Sequence, residues 1–246
     1  MFTFHISTCC GLYYVLAKHL CFFLCYKKSS QVIISVIFRL HGNPLGDEGV
    51  KVLVNGILDI QKAFSQREAE EVDGATDDKG KTTHYTVLKE LDLGDTDIGD
   101  EGMGHIAYLL ENVTDLKTLN LNGNINVTYA GWKRLSKAMK KNKTLRTLSL
   151  DFNKIGDEAM AALVSGLKIN TSLQTLDLES TCLTEIGGIQ LIDLVKCNTT
   201  ILDITILPGN KISEKTQEEI RNYLGLNKEA SPKVISAQYI QPTTKK

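Results

Sequence analysis

A pattern of leucines that returns along this chain constrains its fold more than any other feature of the sequence. In one copy, Leu145, Leu148 and Leu150 are followed by Asn153 and Ile155. Leu148 and Leu150 are two residues apart, so both side chains point the same way from a short strand. Asn153 suits the bend that follows, because its side-chain amide can satisfy backbone groups. The pattern therefore predicts a strand that ends in a tight turn.

The same unit continues into a helix. Asp157 and Glu158 come next, and Ala159, Leu163 and Leu167 then recur every four residues, as on one face of a helix. Acidic side chains in a first turn interact favourably with the positive end of the helix dipole. Each unit is therefore predicted to be a strand, a turn and a helix.

The unit recurs at a nearly constant interval. Steps of 28, 29, 28 and 28 residues separate the copies that begin at Leu88, Leu116, Leu145, Leu173 and Ile201. An earlier copy lies at about 38–48, where the apolar, asparagine and Gly-Asp-Glu positions match those of 148–158. The chain thus carries about six units.

At this period, L-x-x-L-x-L-x-x-N resembles the leucine-rich repeat of the ribonuclease-inhibitor-like class, in which each repeat has a full helix. The resemblance covers about residues 35–225. It implies an α/β fold, a curved solenoid of about six repeats with a parallel β-sheet on the concave side and α-helices on the convex side. It implies no reaction.

The repeats divide the chain into three parts. We expect a leucine-rich-repeat domain at 35–227, interrupted by an acidic, glycine-containing stretch at about 65–85 that has little to bury and is predicted to be a mobile loop. This loop is either an insertion tolerated at a surface turn or a docking segment. The polar residues at 228–246 are predicted to form a disordered tail.

Residues 1–34 form an irregular apolar segment that does not fit the repeat. It is interpreted as a helical cover for the first repeat, as a membrane anchor or as a stretch of non-native sequence. Membrane contact through 9–26 is not favoured, because Lys18 and His19 lie near the middle of the apolar run. Its four cysteines lack the spacing of a zinc module, so no metal is expected.

Asn142, Asn170 and Asn198 each begin an Asn-x-Ser/Thr triplet, the acceptor pattern for glycosylation. They are also 28 residues apart, and each lies just before the next strand. That recurrence indicates packing at the point where a helix ends and turns.

Composition and motifs favour binding over catalysis. The net charge of −1 provides no basic excess for nucleic acid. No G-x-x-x-x-G-K-[ST], H-E-x-x-H or G-x-S-x-G motif occurs, and the five histidines are scattered. We therefore expect no enzyme activity and no cofactor. Cys182 and Cys197 are predicted to be buried and reduced, which favours a cytoplasmic protein, and a monomer is expected.

The residues that alternate with the inward leucines are predicted to form a partner-binding surface on the concave face. They carry six acids and no base from the second copy onward, which would favour a basic partner segment. The alternative is that these strand positions are polar only because they face solvent. The candidate residues are Glu90, Asp92, Asn120, Asn122, Ser149, Asp151, Asp177, Glu179 and Asp203.

These features predict a non-catalytic protein–protein interaction scaffold. Two alternatives stay open. The repeat type resembles the Ran GTPase-activating proteins, which regulate a small GTPase, although their long acidic tail is absent here. The stretches LKINTSLQTLDL and PGNKISEKTQEEI resemble the tropomodulins, which would make the chain a cytoskeletal binder.

Overall fold

The computed structural model describes residues 2–5, 34–72, 86–113 and 115–231, in which strands and helices alternate. The strands are β1 (Phe2–His5), β2 (Ile34–Arg39), β3 (Thr86–Asp92), β4 (Thr118–Asn120), β5 (Thr147–Ser149), β6 (Thr175–Asp177) and β7 (Asp203–Thr205). The helices are α1 (Gly46–Val72), α2 (Asp100–Asn112), α3 (Tyr129–Lys141), α4 (Gly156–Leu167), α5 (Glu185–Cys197) and α6 (Glu214–Ala230).

The strands form one parallel sheet in chain order, from β1 to β7. Leu91 of β3 pairs with Leu119, which pairs with Leu148, which pairs with Leu176, so the inward leucines stack in a single row. All four are fully buried, in a core that the helices cover from the other side. The predicted leucine-rich-repeat solenoid is therefore confirmed.

The described residues at the N-terminal end form a strand. Phe2 to His5 pair with Val36 to Arg39 of β2 and so extend the edge of the sheet. The sequence had favoured a helical cover over this end. Residues 6–33 lie outside the described residues, as does the apolar run at 9–26 that was considered as an anchor. Among the described helices, none is long and apolar enough to span a membrane.

Two predicted boundaries shift. Helix α1 continues to Val72, so the stretch predicted as a loop at 65–85 begins as helix, and residues 73–85 lie outside the described residues. Helix α6 continues to Ala230, past the predicted start of the tail at 228, and 232–246 are not described. The other domain limits stay predictions from the sequence.

Buried asparagines join neighbouring repeats where the helices end. Asn170 Nδ2 donates to the backbone oxygens of Met139 at 2.7 Å and Asn142 at 2.9 Å, while its Oδ1 accepts from the N–H groups of Ser172 and Leu173. A buried side chain committed in this way is a packing group and not a glycan acceptor. The equivalent residues are Asn142 and Asn198.

A second set of asparagines closes the turn after each strand, as predicted. Asn153 is buried, and its Nδ2 donates to the backbone oxygens of Leu121 at 3.0 Å and Leu150 at 2.8 Å. One side chain thus satisfies carbonyl groups of two successive repeats. Where threonine replaces asparagine, at Thr96, its hydroxyl donates to Leu93 O and its N–H donates to Asn124 Oδ1.

The acids at the helix starts act across the repeat boundary. Asp157 of α4 accepts from Thr184 N at 2.9 Å, Thr184 Oγ1 at 2.5 Å and Gly187 N at 3.0 Å, all at the start of α5. The sequence had suggested that these acids serve only their own helix. They also cap the N-terminus of the next one, where backbone N–H groups have no intrahelical partner. We call Asp100, Asp157 and Glu185 the helix-start acids.

These contacts change the titration of two helix-start acids. Partial burial acts to raise the pKa of Asp100, but hydrogen bonds from Thr128 and Gly131 outweigh it, so the pKa is lowered. The Ser213 N–H and the Thr216 hydroxyl lower the pKa of Glu185. In both cases, the hydrogen bonds stabilise the charged form of the carboxylate.

The prediction that the two cysteines of the later repeats are buried is wrong. Cys182 and Cys197 are both exposed free thiols. Cys182 lies in the turn after β6 with a φ of 62°, and Cys197 is the last residue of α5. The prediction rested on the usual burial of free cysteine, whereas both positions fall between the inward residues of the repeat.

Candidate protein-binding face

The predicted candidate residues lie in rows that cross the sheet. In each repeat the strand contributes residues to the first two rows and the turn after it contributes to the third, and adjacent parallel strands are about 4.8 Å apart. The register gives three rows, which contain Glu90, Thr118, Thr147, Thr175 and Asp203; then Asp92, Asn120, Ser149, Asp177 and Thr205; and finally Gly94, Asn122, Asp151 and Glu179.

Three of the predicted acids form a cluster, which we call the acidic patch: Asp151, Asp177 and Glu179. Burial raises the pKa of Asp151, and the negative charges of Asp177 and Glu179 raise it further. Asp177 Oδ1 accepts from the backbone N–H of Glu179 at 3.1 Å. Among the described residues, no lysine, arginine or histidine forms an ion pair with these three side chains. The patch is therefore an uncompensated concentration of negative charge.

The other predicted acids are paired within the protein. Glu90 binds Arg39, whose Nη2 lies 3.0 Å from Glu90 Oε1. Asp92 accepts from Asn120 Nδ2 at 3.0 Å, and its Oδ1 lies 3.8 Å from His41 Nδ1. The first repeat thus places the side chains of Arg39 and His41 beside the acids of the second.

The remaining predicted residues differ in their surroundings. Asp203, at the far end, lies 3.5 Å from Lys228 Nζ. Asn120 Oδ1 accepts from the N–H of Asn122, and Ser149 stands half-buried between Asn120 and Asp177 in the register. The six acids are therefore not one continuous surface, since, within the part of the chain that the structure describes, Asp151, Asp177 and Glu179 are the three without a basic side chain in ion-pair distance.

A row of basic residues, which the sequence analysis missed, precedes the candidate residues. Lys89, Lys117 and Arg146 occupy the same position in three successive repeats, and Lys117 N donates to Lys89 O while Arg146 N donates to Lys117 O, both at 2.8 Å. We call these three residues the basic row. The signal was present in the sequence, because they are spaced 28 and 29 residues apart, like the leucines.

Phe152, directly after the acidic patch residue Asp151, is another feature missed from the sequence. Its side chain is 52% exposed and its φ is +56°. Every equivalent position has a left-handed backbone, and those residues are Asp95, Gly123, Ser180 and Gly209. The repeat imposes this conformation, which a bulky side chain rarely adopts. Phenylalanine is therefore the exception, and it places an aromatic ring beside the acids.

This face is suited to binding by charge and contact. The concave strands offer carboxylates, amides, hydroxyls and one exposed ring, but within the described ranges no three His, Cys, Asp or Glu residues are positioned to hold a metal ion. Uncompensated charge on an open surface steers an oppositely charged partner and selects against the wrong one.

Comparison with known proteins begins with a family model. The model described as the TMOD/LMOD leucine-rich domain matches residues 86–243, which include the helices from α2 onward and all of the acidic patch.

Two relatives extend this likeness into the first repeat. Leucine-rich repeat-containing protein 73 of Homo sapiens is 33% identical over 193 residues, which are 77% of this chain and 53% of that protein. Ribonuclease inhibitor of Sus scrofa is 31% identical over 183 residues, 72% of this chain and 40% of that protein. The chain thus spans about half the length, or less, of the curated relatives that it matches.

A solved structure shares the fold. The structure of leiomodin-1 actin-binding site 2 matches with a TM-score of 0.53 and 21% identity, over 63% of this chain and 90% of that one. The likeness is one of architecture, a solenoid with strands on one side and helices on the other.

Proposed function

Because the chain belongs to the TMOD/LMOD leucine-rich domain family, we propose that it is a protein-binding scaffold whose concave face holds a partner segment without catalysing a reaction. The observation that carries this proposal is the acidic patch, where Asp151, Asp177 and Glu179 lie at the ends of two adjacent strands with no basic side chain paired to them among the described residues. Leaving like charges side by side costs stability, and a basic partner would relieve that cost.

The partner segment is proposed to be basic where it meets the patch. A lysine or arginine placed there would reverse the repulsion that raises the pKa of Asp151. The gain is chiefly in encounter rate and specificity, since exposed ion pairs each add little affinity. A cytoplasmic location and a monomeric state stay predictions from the sequence.

The test uses the full chain and a fluorescein-labelled peptide of alternating lysine and glycine, followed by fluorescence anisotropy at low salt. A variant with Asp151→Asn, Asp177→Asn and Glu179→Gln should bind the peptide at least about tenfold more weakly. The control variant neutralises three exposed glutamates on helices, and these are Glu158, Glu218 and Glu229. Equal loss in both variants, or none in either, would overturn the acidic-patch proposal.

Actin is the first natural partner to test. The leiomodin-1 domain that shares this fold is described as an actin-binding site, and the family model covers most of the same repeats here. Co-sedimentation of the full chain with actin filaments, and its effect on filament elongation, would support a tropomodulin-like role if both responded to the triple variant. The absence of binding would remove actin as the partner and leave the scaffold proposal to the peptide test.

The alternative role as a regulator of a small GTPase makes a different prediction. It requires faster GTP hydrolysis when the chain is added to the GTPase, whereas a scaffold leaves the rate unchanged. A rate increase lost on neutralising the acidic patch would replace the proposal made here.

A further inference from the structure

The basic row is not required by the fold. Gln174 and Leu202 occupy the same position in the next two repeats, and they make the same backbone contacts as the basic residues: Gln174 N donates to Arg146 O and Leu202 N to Gln174 O, both at 2.8 Å. The backbone hydrogen bonds of the repeat therefore form equally with a neutral side chain at this position. The cations at Lys89, Lys117 and Arg146 need another explanation.

Lys117 stands at the centre of the basic row with a cation on either side. Partial burial lowers its pKa, and the neighbouring charges of Lys89 and Arg146 lower it further, while Asp115 acts in the opposite direction. Lys89 Nζ lies 3.4 Å from Asp115 Oδ1, and Arg146 Nη1 donates to Ser172 O at 2.6 Å. Like charges on adjacent strands are unfavourable, so this arrangement stores repulsion that an acidic group would remove.

The basic row lies towards the beginnings of the strands, and the acidic patch lies towards their ends. Arg146 directly precedes β5, Thr147–Ser149, and Asp151 lies in the turn two residues after it, so the two positions are at most about 16 Å apart along an extended backbone. The basic row is confined to the repeats of β3, β4 and β5, and the acidic patch to those of β5 and β6. Positive charge therefore lies towards the beginnings of the strands, and negative charge lies towards their ends.

From this arrangement we infer that the concave face binds a segment of a partner protein with opposite charges at its two ends. Its acidic end lies on the basic row and its basic end on the acidic patch. The inference rests on the proposed function and adds a direction to it, because the segment can satisfy both charges only when it runs one way along the strands. Opposite charges about 10 residues apart on a helix, at 1.5 Å per residue, match the separation.

The experiment uses the full chain and labelled peptides. The bipolar probe has three glutamates, a ten-residue alanine and glutamine spacer and three lysines, and a second probe has glutamine in place of the glutamates. The variant is Lys117→Glu, and the matched control is Lys137→Glu, an equal charge change on the exposed surface of α3. Circular dichroism checks that each variant is folded, and Lys117→Gln provides a milder change.

The bipolar probe should bind Lys117→Glu about fivefold to tenfold more weakly than the wild type. The glutamine probe should bind that variant at least as tightly as the wild type. A third probe, with lysine in place of the glutamates, should recover affinity for Lys117→Glu alone. Equal effects of Lys117→Glu and Lys137→Glu on the bipolar probe, or no recovery by charge exchange, would overturn the inference.

The outcomes separate this inference from the proposed function. Asp177→Asn should weaken both the bipolar and the glutamine probe, since both present lysines to the acidic patch. If it weakens neither while Lys117→Glu weakens the bipolar probe, the acidic patch is not the binding site and the two-ended arrangement fails with it. If Asp177→Asn acts and Lys117→Glu does not, the proposed function stands and only the inference falls.

Discussion

The helix-start acids and the acidic patch consist of the same residue types, and both follow the repeat, yet the pKa of Asp100 in one set and the pKa of Asp151 in the other shift in opposite directions. The pKa of Asp100 is lowered by hydrogen bonds from the next helix, whereas burial and the neighbouring acids raise the pKa of Asp151. Position within the repeat explains the difference. A helix start faces the unpaired N–H groups of the next helix, but Asp151, just after its strand, faces the acidic residue at the same position of the next repeat, Glu179.

The comparison separates acids that hold the solenoid together from acids that are available to a ligand. Asp157 has three donors within the protein, at Thr184 and Gly187. The acidic patch has an Asn122 side chain near Asp151 and the Glu179 N–H on Asp177, but no cationic side chain from the described ranges pairs with it. Mutation should therefore affect folding in one set and binding in the other.

The largest expected effect is on the helix-start acids. Asp157→Ala removes three hydrogen bonds from the start of α5 and should lower the free energy of unfolding by about 2–4 kcal/mol. Asp177→Ala should change it by less than about 0.5 kcal/mol, because the bond lost at Glu179 N is offset by relief of repulsion. Urea unfolding measures both free energies. Similar losses in the two variants would contradict the distinction between structural and ligand-binding acids.

The dependence of stability on pH should follow the helix-start acids. Since the pKa values of Asp100 and Glu185 are lowered in the folded protein, their contribution is present above the ordinary carboxyl pKa and is lost as pH falls through the folded values. Urea unfolding at several pH values should show that Asp100→Asn makes the free energy of unfolding fall less steeply as the pH is lowered, and we call this fall the acid limb. The effect is smaller than that of removing the side chain, because asparagine keeps one oxygen. An unchanged acid limb would contradict the assignment.

Substitution of Phe152 should change binding and stability in opposite directions. Phe152→Asn places a residue that tolerates a left-handed backbone at this position and should raise the free energy of unfolding by about 1 kcal/mol. The same change should lower the affinity for the lysine–glycine peptide, because an exposed ring beside carboxylates can contact a bound cation. Ile189→Asn on α5 is the control for loss of an exposed apolar side chain. Unaltered peptide affinity in Phe152→Asn would remove the ring from the site.

The smallest expected effect is on the acidic patch itself. A carboxyl whose folded pKa is raised favours folding at low pH, and that contribution is lost as pH rises through the folded value. Asp151→Asn should therefore raise the free energy of unfolding at pH 7 by about 0.5 kcal/mol and leave it unchanged in acid. Thermal unfolding at both pH values measures the change, and a loss of stability at pH 7 would mean that Asp151 has a structural partner.

Periodicity was enough to predict the fold but not the pairing between repeats. The spacing of Leu91, Leu119, Leu148 and Leu176 determines that they stack, because any other arrangement would expose them. The same reasoning identified Asn170 as a packing residue. It could not show that Asp157 caps the next helix, since that depends on the angle and distance between neighbouring repeats.

The residues of the candidate face were predicted from the sequence, but the charge balance of that face in the structure differs from the prediction. The candidate residues follow from strand alternation, but Arg39 and His41 contact Glu90 and Asp92 across the boundary between the first two repeats. The basic row was missed because strand alternation directs attention to every second residue, while Lys117 lies one position before the strand. Side-chain reach decides such contacts, and a repeat pattern does not contain it.

The most direct test is a carboxyl-carbon NMR titration of the full chain, with and without the lysine–glycine peptide. Asp100 should titrate below the ordinary range and stay there when the peptide is added, because its donors lie within the protein. Asp151 should titrate above the ordinary range alone, and the peptide should lower its pKa by replacing repulsion with attraction. A shared pKa for the two residues, or a peptide that shifts Asp100 and leaves Asp151 unchanged, would contradict the account.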